Sequence, residues 1–362
     1  MTTLYNFGAG PGMLPPQVLQ QASMALVDWQ GSGLSILELN HRSDAFRQLL
    51  ADAEQNLREL LTIPKHYHIL FLAGGASAQF AMVPLNLLGQ QLEADYIQTG
   101  YWSKQAIKEA MRYAKINIAG ESCLLEQMTV VPTPEAWVLS ANAAYVHYTA
   151  NETVDGAEFH QAPLFDQIPV VTDMTSNFLS APVDIERFGL IYAGAQKNIG
   201  PAGMTVVIVR DDLLTRAHPL TPTLYRYQSQ VEQHSCVNTP PIFNCYVAGL
   251  MFAWVKAQGG INAMAQKSES NAKKLYAVID ASQGFYRNTL HPSCRSRSNI
   301  VFHLPTADLE QEFLAQAKTA GLVNLAGHRS HGGIRASLYN AMPATGVDVL
   351  VQFLRQFLQQ KG

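Results

Sequence analysis

Between residues 65 and 215 the chain alternates short apolar runs with stretches of helical periodicity. HILFL (68–72), ADYIQTG (94–100), KINIAG (115–120), PVVTDM (169–174), LIYAGA (190–195) and MTVVIV (204–209) are rich in β-branched residues and bounded by Gly or polar turns. Such runs predict strands. Between two of them, SKQAIKEAMRYA (103–114) sets Ile107, Ala110, Met111 and Ala114 on one face, which predicts an amphipathic helix. Alternation of this kind predicts a mostly parallel α/β sheet covered on both faces, with ligands at the carboxyl ends of its strands. After residue 260 the pattern changes. A long helical stretch (261–281) leads to a strand (299–304), a helix (308–320), a strand (332–339) and a final helix (347–360). We therefore expect an N-terminal segment (1–15), a large domain (16–260) and a smaller C-terminal α+β domain (261–362). No repeat or low-complexity tract interrupts them.

Composition narrows the class. The 362 residues are 48% apolar and 15% charged, enough for a well-buried core. A net charge of −3 offers no polyanion-binding surface, so no nucleic-acid partner is expected. MTTLYNFGAG lacks a basic stretch followed by an apolar one, and no apolar run approaches the length of a membrane span. Cys123, Cys236, Cys245 and Cys294 are scattered, without disulfide density or metal-ligand spacing. A reduced, cytoplasmic enzyme without a metal is the expectation.

The chemistry concentrates in IYAGAQKNIGPAG (191–203), read with VVTDMTSNF (170–178). Lys197 closes one apolar run and opens a loop rich in Gly and Pro; Asp173 ends another. An amine at one strand end and a carboxylate at a second suit an enzyme that holds an aldehyde cofactor as a Schiff base. The carboxylate would keep a pyridinium nitrogen protonated, which is the chemistry of pyridoxal phosphate. The plainer readings are a surface lysine and a helix-capping aspartate. The turn Gly74-Gly75-Ala76-Ser77-Ala78-Gln79-Phe80 follows a strand and opens a helix-compatible stretch. There, backbone N–H groups can converge on an anion, although many strand–helix turns carry two glycines. Two basic triplets, His41-Arg42-Ser43 and His328-Arg329-Ser330, and Arg335 stand out as anion ligands, or else as solvated charges. An α-carboxylate calls for one bidentate Arg, and a second anionic group calls for another cluster.

AGAQKN-GPAG with Asp173 upstream, NFGAGPGMLP at the start and GGIRASLYNA near the end resemble the phosphoserine aminotransferases, class-V, fold-type I pyridoxal phosphate enzymes. The resemblance runs nearly end to end and implies a seven-stranded type of sheet in the large domain. It makes Lys197 the Schiff-base lysine and proton shuttle, Asp173 the pyridinium partner and Gln196 a cofactor contact. The amides of Ala76 and Ser77 would hold the phosphate; some members carry Arg where Ser77 stands. Trp102 would lie against the pyridine ring rather than merely fill a core, and Thr153 would reach the phenolic oxygen. Asn238 and Thr239 would contact the phosphate from a partner subunit, which implies a homodimer with shared active sites. Arg335 would take the α-carboxylate. His41, Arg42, His328 and Arg329 would serve the distal carboxylate or phosphate, partly across the dimer interface. The family start NFSSGP is NFGAGP here, so hydroxyl contacts at Gly8 and Ala9 are lost.

The activity implied is two-stage transamination between L-glutamate and 3-phosphohydroxypyruvate, giving 2-oxoglutarate and O-phospho-L-serine in serine biosynthesis. The family also serves a related step toward vitamin B6. A cysteine desulfurase would need a nucleophilic Cys, with Cys294 the one candidate, and usually has His where Gln196 stands. A glyoxylate aminotransferase would not need the second basic cluster. A non-catalytic binding protein would have no need of Lys197, Asp173 and Trp102 together.

Overall fold

In the computed structural model, which describes residues 3–165 and 167–362, the main sheet has seven strands. In chain order they are β1 (Tyr67–Ala73), β2 (Glu93–Gln98), β3 (Lys115–Glu121), β4 (Val146–Thr149), β5 (Val170–Asp173), β6 (Leu190–Gly194) and β7 (Met204–Arg210). Their order across the sheet is β1-β7-β6-β5-β4-β2-β3. All neighbours are parallel except β7, which runs antiparallel to both β6 and β1. The exception follows from the connection. Only residues 195–203 join β6 to β7, too few for the crossover that a parallel return requires. The sequence pattern had not identified β4, because His147 interrupts its apolar run; in the fold all four of its residues are buried.

Alternate residues of the strands feed two cores. Ile69 and Phe71 of β1 join Val146, Ile191 and Ile208 on one face, while Leu70 and Leu72 join Tyr96, Val171, Tyr192 and Val207 on the other. The first face is covered by helix Asp44–Leu61, whose buried residues Phe46, Leu50, Ala53, Leu57 and Leu61 recur at helical spacing. Ser43 starts that helix by accepting a hydrogen bond from the Phe46 N–H at 3.2 Å. The opposite face is covered by helices Ala76–Leu87 and Tyr101–Ala110, through Phe80, Val83, Ala106 and Ile107.

A separate core gathers Leu275 from helix Gly260–Asp280 with Ile300, Phe302, Phe313, Ile334, Leu354 and Phe357. Strands Asn299–Phe302 and Ile334–Ser337 pair antiparallel within it, with Val301 opposite Arg335. Phe7 is fully buried in the same core, and Tyr5–Asn6 pairs in parallel with Leu322–Val323. The N-terminal segment thus joins the C-terminal module and then crosses the carboxyl edge of the main sheet.

Candidate active site

Asp173 is the last residue of β5, and Lys197 lies in the loop that follows β6, the neighbouring strand. That loop is held in a turn by the N–H groups of Ile199 and Gly200, both donating to the Ala195 carbonyl. Above it passes the N-terminal segment, whose Gly12 N–H donates to the Gln196 carbonyl at 2.8 Å. The approach requires glycine. A Cβ on Gly12 would stand 2.7 Å from the Tyr339 ring and 3.0 Å from the Lys197 carbonyl oxygen.

Lys197 is 7% exposed, and its Nζ donates to Thr153 Oγ1 at 2.5 Å. Burial lowers its pKa to about 8; Arg335 acts in the same direction, while Asp173 and Glu152 oppose it. Asp173 is equally buried, and its Oδ1 accepts from the Thr175 N–H at 2.8 Å. Burial raises its pKa, against the pull of Thr175 and Lys197. Among the described residues neither side chain forms an ion pair. A buried amine and a buried carboxylate left this way are costly unless a ligand completes them.

Both line a cleft of about 280 Å³ whose other walls suit one ligand type. At one end helix Ala76–Leu87 begins at Gly75 with no side-chain cap, so its first N–H groups are available to an anion. Trp102, at the start of helix Tyr101–Ala110, forms a side wall, its ring 6.5 Å from that of Phe80. Its indole Nε1 and the hydroxyl of Thr149 are buried with no hydrogen-bond partner among the described residues. An aldehyde for Lys197, a protonated ring nitrogen for Asp173 and a phosphate for the helix terminus would complete this set. Pyridoxal phosphate carries all three, and the residues fit it.

Of the residues singled out from the sequence, Ala76, Ser77, Trp102, Thr153, Asp173, Gln196, Lys197, His328 and Arg335 line the cleft. Arg335, on strand Ile334–Ser337, donates from Nη1 to the Thr153 carbonyl at 3.4 Å. The His328 ring lies 4.8 Å from that of Tyr101, and its Nδ1 is 2.6 Å from Ser330 Oγ. Burial, with Arg335 nearby, lowers the His328 pKa. His41, Arg42, Arg329, Asn238 and Thr239 do not line the cleft of this single chain. Arg42, Arg329, Asn238 and Thr239 are exposed, and His41 is half-buried in the turn before helix Asp44–Leu61. Cys294 is buried away from the cleft, its Sγ donating to the Thr129 and His291 carbonyls at 3.4 Å.

Sequence reasoning missed Thr149, Asn151, Thr175 and Ser176, which also line the cleft. A signal existed for Thr175, since an Asp followed two positions on by an N–H donor is a common local turn. Asn151 carried none. Its amide nitrogen reaches Ser176 Oγ at 2.6 Å and Asn299 Oδ1 at 2.8 Å, contacts that only the fold creates.

Comparison with known proteins agrees with this geometry. A family model described as aminotransferase class-V matches residues 4–350. A phosphoserine aminotransferase from Chromobacterium violaceum is 50% identical over 363 residues, covering 100% of each chain. The solved phosphoserine aminotransferase from Bacillus circulans subsp. alkalophilus superposes with a TM-score of 0.96 at 42% identity, covering 99% of both chains. The PLP-bound phosphoserine aminotransferase from Trichomonas vaginalis gives 0.92 at 40% identity, covering 97% of this chain and 99% of that one.

Proposed function

This chain belongs to the aminotransferase class-V family, and from that premise we propose that it is a pyridoxal phosphate-dependent phosphoserine aminotransferase. It exchanges the amino group between L-glutamate and 3-phosphohydroxypyruvate, releasing 2-oxoglutarate and O-phospho-L-serine. The observation that carries the reading is the buried Lys197–Asp173 set at neighbouring strand ends, neither forming an ion pair among the described residues.

When bound, pyridoxal phosphate supplies an aldehyde that takes up amino groups and a ring that withdraws electrons from the substrate Cα. Lys197 would hold it at the aldehyde carbon. Burial lowers the Lys197 pKa to about 8 in the cofactor-free chain, which suits its amine to moving the Cα proton close to neutral pH. Asp173 would keep the ring nitrogen charged, since the buried carboxylate is itself stabilised by that cation. The first amides of helix Ala76–Leu87 would hold the phosphate, Trp102 would flank the ring and Thr153 would hold its phenolic oxygen. Arg335, on its rigid strand, would orient the α-carboxylate through its guanidinium fork.

The exposed positions of Arg42, Arg329, Asn238 and Thr239 in one chain support a homodimer in which two subunits share each site. In it, Asn238 and Thr239 would contact the phosphate, and His41, Arg42, His328 and Arg329 would receive the distal anionic group. We further assign residues 16–260 to a large domain, 261–362 to a small one and 1–15 to an N-terminal segment. The enzyme would act in the cytoplasm in serine biosynthesis, and in the related step toward vitamin B6. The buried, carbonyl-bonded Cys294 supports this reading over a desulfurase.

Visible absorption of the purified holoprotein tests the proposal. Adding O-phospho-L-serine without a keto acid should remove the yellow band of the aldehyde form and raise that of the amine form. A yellow protein indifferent to phosphoserine would refute the substrate, and a protein that takes up no pyridoxal phosphate would refute the cofactor.

A further inference from the structure

Helix Tyr101–Ala110, which carries Trp102 into the cleft, begins at Gly100, whose N–H donates to Ser103 Oγ at 3.0 Å. The N–H groups of its first three residues are satisfied instead by one loop, residues 152–155. Glu152 Oε2 accepts from the Trp102 N–H at 2.8 Å, and Glu152 Oε1 accepts from the Ser103 N–H at 2.9 Å. Asp155 Oδ2 accepts from the Tyr101 N–H at 2.7 Å. Glu152 is fully buried, and the carboxylates come so close that a Cβ on Gly100 would meet Asp155 Oδ2 at 2.4 Å and Glu152 Cδ at 2.7 Å. The residue after Glu152 is Thr153, whose hydroxyl receives the Lys197 amine and whose carbonyl receives Arg335. One short loop therefore ties the backbone of the tryptophan wall to the amine and the guanidinium opposite.

We propose that Glu152 is a positioning residue for the cofactor, acting through the Trp102 backbone to set the indole plane against the Thr153–Lys197 side of the cleft. This rests on the pyridoxal phosphate reading above. The chemistry requires a carboxylate. Each oxygen accepts one of two consecutive N–H groups, whereas an amide side chain would turn an NH₂ toward one of them. Burial and the Asp155 charge push the Glu152 pKa up to about 7, against the hydrogen bonds from Ser103 and Trp102, so the form that accepts from both N–H groups prevails above that pH. Lys197, on which Glu152 acts, and, through the Asp155–His331 contact at 3.6 Å, the His328 loop complete the charges around it.

A double-mutant cycle on the whole enzyme tests the inference, with pyridoxal phosphate affinity and the visible circular dichroism of the bound cofactor as readouts. Glu152→Gln should weaken cofactor binding about tenfold, as loss of a charge-assisted hydrogen bond does, and alter the dichroic band. In a Trp102→Ala background the same change should cost less than about twofold, because the two residues act as one unit. Equal losses in both backgrounds, or an unchanged affinity and dichroic band in Glu152→Gln, would overturn it. If Glu152→Gln does not fold, Glu152→Asp is read by the same criteria, since its shorter arm cannot reach both N–H groups. A wild-type protein that binds no pyridoxal phosphate would instead remove the reading on which the inference stands.

Discussion

Replacing Lys197 with Met should stabilise the cofactor-free protein at neutral pH. The amine is 7% exposed, and burial sets its pKa at about 8 against 10.5 unperturbed. That difference of about 2.5 corresponds to about 3 kcal/mol of cost for holding the charged amine in the fold, at ~1.4 kcal/mol per pKa unit. Met has similar length and no charge to bury. It leaves Thr153 Oγ1 without its donor, a loss of about 1 kcal/mol, so the net gain at pH 7 is about 2 kcal/mol. The sign of the pH dependence follows from proton counts. Below about 8 both states of the wild type hold the proton and the full cost applies. Between about 8 and 10.5 only the unfolded chain holds it, so wild-type stability rises with pH and the advantage of Lys197→Met shrinks to near zero by about pH 10. Urea unfolding of both proteins at pH 7 and pH 10, free of cofactor and at one concentration, measures this directly. No gain at pH 7, or a gain undiminished at pH 10, would refute the claim that Lys197 is strained by burial.

Further tests address the substrate and phosphate ends. Arg335→Lys keeps the charge but loses the fork, so KM for both glutamate and phosphoserine should rise about tenfold or more with a smaller effect on kcat. An unchanged KM would remove Arg335 from the α-carboxylate. Ser77 is exposed at the rim of the cleft, and Ser77→Arg should tighten pyridoxal phosphate binding about tenfold through a charge-assisted contact. Equilibrium titration showing equal or weaker binding would count against a phosphate at that helix terminus. Arg329→Ala should lower kcat/KM for phosphoserine more than for glutamate, and equal losses would separate Arg329 from the phosphate.

Much of the scaffold was legible in local pattern. The runs at 68–72, 115–120, 190–195 and 204–209 became strands with ends shifted by a residue or so, and the stretch at 261–281 became Gly260–Asp280. Asp173 and Lys197 stood out because each closes an apolar run, which sets an ionisable residue at the carboxyl end of a strand. Periodicity is a property of neighbours in the chain, so such features survive without knowledge of the fold.

Everything that depends on distant neighbours had to await the tertiary structure. The buried strand around His147 and the burial of Phe7 in the C-terminal core follow from which surfaces close on one another. The same holds for the chemistry. Lys197 meets Thr153 across 44 positions, and Trp102 is tied to Glu152 across 50. A lysine in the sequence is an ordinary strong base. Its pKa of about 8 belongs to the fold, because only packing removes the water that would hold its charge.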